Sequence, residues 1–348
     1  MLAFSCQTRN LCGSCQAKRS ALFAERLVEQ ILEPVPHRHI VFTIPRALRG
    51  LFERERGLLG ILSRSAYEAI RVSFQALFGR RDVRPGVVAS IQTFGSFANF
   101  HPHVHLLVTE GVFDPEGAFY GLPSLDTSAI EELFRRLLLK RLHQAERLSE
   151  AFMLKLMSWC PSGFSVHGEQ LVMPDERHRL ERLARYLTRP PVSVGSVHLT
   201  DDGRVVVETP PDPRSGERLK TLDMLDWIHA VTSQIPDPGH HVTRYYGRYA
   251  NRVRGLHRET AVHDDVQPND DTAFTKARRA SWARLLRRIF EVDPLLCPRC
   301  GTELAIISVI TEPDIIDRIL RHLDQGGGHD PFEPRGPPQA GEAAATTH

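Results

Sequence analysis

Apolar positions recur along this chain at two periods, and the changes between them mark its elements. Residues 21–33 repeat at helical spacing through Leu22, Leu27, Val28 and Ile31. His39–Thr43 is short and apolar and is stopped by Pro45, which predicts a strand. Residues 46–79 return to the helical period, with Ile70, Phe74, Leu77 and Phe78 on one stripe. Val87–Phe94 predicts a second strand. A turn over Gly95–Phe100 then leads into a third, His103–Thr109, so the two form a hairpin. A turn centred near residue 98 would set His105 opposite Gln92 and His103 opposite Phe94.

The second half alternates in the same way. Ser128-x-x-Glu131 has the form of a capping box and predicts a helix running to about Glu150, with Ile130, Leu133, Phe134, Leu137, Leu138 and Leu142 inward. Phe164–Val166 and Gln170–Met173 predict short strands around His167-Gly168. Arg177–Leu187 is a basic helix ended by Arg189-Pro190-Pro191. A hairpin follows, Val192–Thr200 and Val205–Thr209 about Asp201-Asp202-Gly203. Leu222–Gln234 predicts a helix, and so does segment 243–254. Thr275–Phe290 is a basic amphipathic helix, and from Asp324 onward glycine, proline and alanine predict disorder.

Composition narrows the class. The 348 residues are 41% hydrophobic and 25% charged, ordinary for a soluble globular chain of two or three domains. No apolar run approaches the roughly 20 residues that span a bilayer, and no signal peptide is evident, so a cytoplasmic protein is expected. Net charge is only +2, yet just five of the 44 basic residues are lysine. Arginine's planar fork suits phosphates and base edges. A GC-rich genome would give the same bias.

The candidate chemistry starts at His101-Pro102-His103-Val104-His105. Side chains alternate on a strand, so His103 and His105 share a face about 7 Å apart, and two neutral imidazoles there can chelate one divalent ion. Gln92, from the neighbouring strand, or His101 could add a third ligand. Such a set leaves room for water and a phosphate and suits Mg²⁺ or Mn²⁺. On the predicted helix, Tyr245 and Tyr249 lie one turn apart, with Arg244, Arg248 and Arg252 as a second line beside them. Phenols beside arginines and a cation point to phosphotransfer through a tyrosine nucleophile. Cysteines form two groups. Cys6, Cys12 and Cys15 make three ligands of a zinc module whose fourth could be His37 or His39. Cys297-x2-Cys300 is half a zinc knuckle, with His322 and His329 as candidate partners. Cys160, in Trp159-Cys160-Pro161, is expected as buried filler.

Taken in order, these motifs resemble a known family. Phe4-Ser5-Cys6, Cys12-x2-Cys15, Gln92-Thr93-Phe94-Gly95, Asn99–His105, Arg185-Tyr186-Leu187-Thr188-Arg189-Pro190-Pro191, Arg244-Tyr245-Tyr246-Gly247 and Cys297-x2-Cys300 are similar to those of rolling-circle HUH transposases of insertion sequences, including the common-region elements. The resemblance implies an α+β fold: a central antiparallel sheet flanked by helices, with a small N-terminal zinc-ribbon remnant and a C-terminal helical CxxC segment. It divides the chain into a partial zinc module and helix (1–36), a single-strand nuclease and transposase domain (37–258), a basic helix and knuckle (259–323) and a tail (324–348). It implies that His103 and His105 bind the cation and that Tyr245 attacks single-stranded DNA at element ends to give a 5′-phosphotyrosine. Tyr249 would be the second tyrosine, and the arginines would bind DNA. Family members usually carry another cysteine pair upstream of Cys6, so a truncated zinc site is expected here. An inactive DNA-binding remnant is the alternative. A histidine-triad nucleotide hydrolase also fits the His101–Leu107 run, but not the cysteines and tyrosines.

Overall fold

Helix α1 (Gly13–Gln30) leads into strand β1 (His37–Thr43), followed by α2 (Arg46–Arg54), a 3-10 turn and α3 (Leu59–Phe78). Next come β2 (Gly86–Phe94), β3 (Phe100–Thr109) and two short strands, β4 (Gly111–Phe113) and β5 (Phe119–Gly121). Helices α4 (Thr127–Gln144) and α5 (Glu150–Met157) precede β6 (Ser165–Val172) and α6 (Arg177–Leu187). A small sheet of β7 (Val197–Leu199), β8 (Val205–Glu208) and β9 (Leu219–Leu222) follows. The series ends with α7 (Met224–Thr232), β10 (Thr243–Gly247) and α8 (Asn251–Thr260). This computed structural model describes residues 13–211 and 216–260 with positions 296, 301, 302, 315, 318 and 321. Residues 13–260 fall in one compact unit; Thr272–Arg287 and Val292–His348 make up a second. Cys6, Cys12, Cys297, Cys300, His322, His329, the basic helix 275–290 and the tail lie outside the described residues.

Five strands make the main sheet in the order β10-β2-β3-β1-β6, each neighbouring pair antiparallel. The architecture is therefore α+β with an antiparallel centre, as the sequence leads one to expect. Both faces are covered, which is why Val104–Thr109 reads as an unbroken buried run rather than an alternation. One face is the main core. Ile40, Phe42, Val87, Ala89, Ile91, Val104, Leu106 and Val108 meet Leu48, Phe52, Leu62, Ile70, Phe74, Phe134 and Leu138 from α2, α3 and α4. The opposite face carries a smaller cluster. Val88 and Leu107 pack there under Leu27 and Ile31 near α1 and Ala184 and Leu187 of α6, with Tyr249.

Local chemistry moves several boundaries. Asp126, not Ser128, caps α4: its carboxylate accepts from the Ser128 and Ala129 amides at 2.9 and 3.3 Å. Glu131 turns away instead and accepts from the Val166 amide at 3.3 Å. The helix ends at Gln144, and α5 is separate, capped by Ser149. His167 and Gly168 do not break β6; they lie within it, and a bulge comes opposite β1 between Arg38 and Ile40. Cys160 is exposed, in a turn with a cis Cys160-Pro161 bond, rather than buried.

The largest correction concerns segment 243–254. Thr243–Gly247 is an edge strand on β2, so Tyr245 and Tyr249 are not one helical turn apart. Two features select the strand. Tyrosine and threonine favour extended backbone, and β2 offers an unpaired edge. Gly247 then takes φ +59°, where an added Cβ would lie 1.8 Å from the Pro85 carbonyl oxygen. The helix begins only at Asn251.

Candidate metal and tyrosine site

The site is built on the face of the sheet opposite the main core. Directly paired residues share a face. Gln92 pairs with His103 and Ser90 with His105, so the expected register is shifted: Gln92 faces His103, not His105. The cause lies near Pro102. Phe94 pairs with Phe100, but the register then slips before Gln92, leaving His101 and Pro102 opposite Thr93 alone. Proline has no amide to give the ladder, and such a bulge accommodates it. His103 and His105 still share a face, as their spacing requires, with ring centroids 4.8 Å apart.

Both imidazoles are buried and held by one nitrogen. His103 Nδ1 lies 2.7 Å from the His101 carbonyl, which can only accept, so Nδ1 carries the proton and Nε2 keeps its lone pair. His105 Nδ1 lies 2.9 Å from His39 Nε2, the two rings stacked at 5.1 Å. Among the described residues, His105 Nε2 is buried without a hydrogen-bond partner. Burial, with the guanidiniums of Arg189 and Arg49 as lesser contributors, holds His103 down to about 4. Burial and then the His103 and His39 rings hold His105 down to about 2. Both are therefore neutral at pH 7, the form that ligates metal. An orphaned Nε2 beside a second neutral imidazole fits a divalent cation, with His39 orienting His105 from behind. Among the described residues, no group of three or more His, Cys, Asp and Glu side chains converges on a metal position. The remaining ligands would have to come from an amide, water or substrate.

Gln92 is occupied differently. Its Nε2 donates to the carbonyls of Tyr186 and Leu187 at 3.2 and 3.3 Å, and its Oε1 accepts from Arg189 Nε at 3.4 Å. Ser90 Oγ also donates to the Leu187 carbonyl. These bonds satisfy the last carbonyls of α6 and dock its C-terminus over the histidines. Tyr186 then stands edge-on to His105 and His39, with centroids at 5.4 and 5.9 Å. The Arg189 guanidinium lies 4.4 Å from the Tyr186 ring centre. His39, Tyr186 and Arg189 thus belong to the site, although sequence reasoning gave them no role in it. The signals were present: His37-x-His39 repeats the spacing of His103-x-His105, and Tyr186 and Arg189 stand in the Arg185–Pro191 motif.

The tyrosines separate by face. Tyr245 pairs with Val88, which pairs with Leu107, so Tyr245 lies on the histidine face. It is two strands, about 10 Å, across the sheet from β3 and two residues, about 7 Å, along from His105. Tyr245 is half-buried, with the Arg254 guanidinium 5.1 Å from its ring centre. Burial raises its phenol above the ordinary range, and Arg26 and Arg254 oppose that shift. Tyr246 lies on the core face, stacked on Tyr67 at 4.7 Å, with its hydroxyl 3.0 Å from Ser63 Oγ.

Tyr249 is 1% exposed and packs against Gly86, where an added Cβ would come within 2.8 Å of its ring. Its hydroxyl lies 2.6 Å from His37 Nε2 and accepts from the Glu33 amide at 3.1 Å. Burial drives its phenol far above the ordinary range.

The arginines likewise form no single line. Arg244 packs beside Gly60 of α3, Arg248 pairs with Glu33 at 2.9 Å, and Arg252 is exposed on α8. Cys15 is buried on α1. His37 and His39, candidates for the fourth zinc ligand, are engaged on the sheet by Tyr249 and His105.

Residues 86–256 match the Y2 family described as “Putative transposase”, and residues 1–44 match the “Transposase zinc-binding domain” family of IS91 type. Together these matches span well over half of the chain. The transposase for insertion sequence element IS801 of Pseudomonas savastanoi pv. phaseolicola is 26% identical over 322 residues, covering 86% of this chain and 76% of the relative. The “Putative transposase y4qJ” of Sinorhizobium fredii is 28% identical, covering 72% of this chain and 67% of the relative. Among solved structures, the non-structural protein 1 N-terminal origin-recognition/nickase domain of human bocavirus covers 51% of this chain and 72% of its own. The two are 12% identical, with a TM-score of 0.23.

Proposed function

Because this chain belongs to the insertion-sequence transposases that join an IS91-type zinc-binding domain to a Y2 transposase domain, we propose that it cuts and rejoins single-stranded DNA through Tyr245. The observation that carries this reading is the shared face. Tyr245 is the one tyrosine of its cluster that is both on the histidine side and partly open to solvent. Tyr246 points into the core, and Tyr249 is closed off by His37 and the Glu33 amide.

His103 and His105 would hold a divalent cation through their Nε2 atoms. Gln92 would join them only by turning its Oε1 from Arg189. Magnesium or manganese bound there would polarise the scissile phosphate. The Tyr245 oxygen, losing its proton, attacks phosphorus, and the bond to the 3′ oxygen breaks. That oxygen leaves with a proton as a 3′-hydroxyl, while the 5′ phosphate stays esterified to Tyr245. Attack by another 3′-hydroxyl reverses the step and rejoins DNA, so no nucleotide cofactor is required. Arg189 and Arg254 border the two halves of the site and would offset the phosphate's charge. Cys6, Cys12 and Cys15 fall within the stretch matched by the zinc-binding family, and we assign zinc to them, with Cys297 and Cys300 as a second candidate pair.

A nicking assay on single-stranded DNA with manganese, resolved on denaturing gels, tests this. A protein–DNA adduct that disappears with chelator and with Tyr245→Phe is expected. Cleavage without an adduct, or an adduct indifferent to chelator, would refute it.

A further inference from the structure

The histidine face continues past His105 onto β1 and β6, on the side away from β10, and a groove lies there. His39, Gln170, Arg179, Arg182 and Tyr186 line it. The β6 bulge opposite β1 falls at this point, between the partners of Arg38 and Ile40. Arg182 is exposed. Arg179 is partly committed, pairing with Glu176 and donating to Gln170 Oε1 at 3.1 Å. Tyr186 is the wall between groove and histidines, and 39% of its surface is exposed. Basic forks, an amide and a partly open aromatic ring are the elements of a single-strand binding groove: phosphates meet arginine and bases stack on the ring.

The proposed chemistry gives this groove a direction. In phosphoryl displacement the attacking and leaving oxygens lie roughly in line, on opposite sides of phosphorus. Tyr245 approaches from β10, at one edge of the sheet. The departing 3′ oxygen therefore faces β1 and β6, beyond the histidines. We propose that the groove between Tyr186 and Arg182 binds the DNA segment upstream of the cut, the piece that keeps the 3′-hydroxyl. This rests on the tyrosine reading above and adds to it. One fragment is held by a covalent bond on β10 and the other by the groove, so neither is lost before rejoining.

The test uses the full chain with Arg182→Glu and Arg182→Lys, neither of which disturbs a buried contact. Binding of short oligo-dT, followed by fluorescence anisotropy, needs no cleavage. Arg182→Glu is expected to weaken it about tenfold and to lower the salt slope by about one, while Arg182→Lys restores both. In the nicking reaction on a native gel, the 3′-hydroxyl fragment should separate from the Arg182→Glu adduct and stay with wild type. Unchanged oligo-dT affinity in Arg182→Glu overturns the proposal, and so does equal retention of the 3′-hydroxyl fragment. A chain that binds oligo-dT through Arg182 but forms no adduct overturns the tyrosine reading, and with it the side of the cut assigned to the groove.

Discussion

Replacing Tyr249 by phenylalanine removes one oxygen from the interior and leaves the ring in place against Gly86. That oxygen serves two partners, His37 Nε2 at 2.6 Å and the Glu33 amide at 3.1 Å. His37 is fully buried and Tyr249 nearly so, so water has little access to the orphaned groups. Leaving one buried polar group unsatisfied costs about 1–3 kcal/mol. Loss of the hydroxyl's own desolvation offsets part of two such costs, which puts the net near 2 kcal/mol. In a unit of this size that lowers Tm by about 4–8 °C. Urea unfolding should show a lower midpoint at unchanged slope. A loss below about 0.5 kcal/mol, the range of inconsequential surface changes, would refute the assignment of Tyr249 as a buried anchor. The same variant should still capture single-stranded DNA covalently. A folded Tyr249→Phe protein that no longer does so would mean that this phenol leaves His37 to act on the substrate.

Other outcomes follow from the same contacts. His103→Ala with His105→Ala should abolish cleavage of single-stranded DNA yet preserve salt-sensitive binding, read by gel shift, because binding rests on arginines. His37 is held to about 4 by burial against 6.5 in the unfolded chain. Between those values the unfolded state binds more protons, so stability is complete above pH 6.5 and falls as pH drops toward 4, by about 3 kcal/mol from this group. Urea midpoints across that range should show the loss, and His37→Gln should make it shallower by this group's share, the buried His103 and His105 supplying the rest. Gly247→Ala should cost at least about 2 kcal/mol by calorimetry, because its Cβ would strike the Pro85 carbonyl and φ +59° disfavours a side chain.

What the chain disclosed in advance was mostly local. The β2–β3 hairpin and the one-sided histidines follow from period-two alternation, and α6 runs over the residues its pattern marked, Arg177–Leu187. The register slipped because Pro102 forced a bulge, a feature that pairing rules without a turn geometry do not fix. Segment 243–247 reads as helix in the sequence because Tyr245, Arg248, Tyr249 and Arg252 satisfy a helical repeat, while the pull toward a strand comes from β2, some 150 residues earlier. Non-local pairing leaves no mark on a single window. Tyr186 and Arg189 were hidden for the same reason: only the docking of α6 by Ser90 and Gln92 brings them over His105.

The central claim is that one phenol, reached across the sheet from the paired histidines, takes the DNA. Mass spectrometry of the protease-digested adduct tests it most directly. The account predicts a nucleotide-modified peptide bearing its modification on Tyr245. The same modification found on Tyr249 or Tyr246 would contradict it.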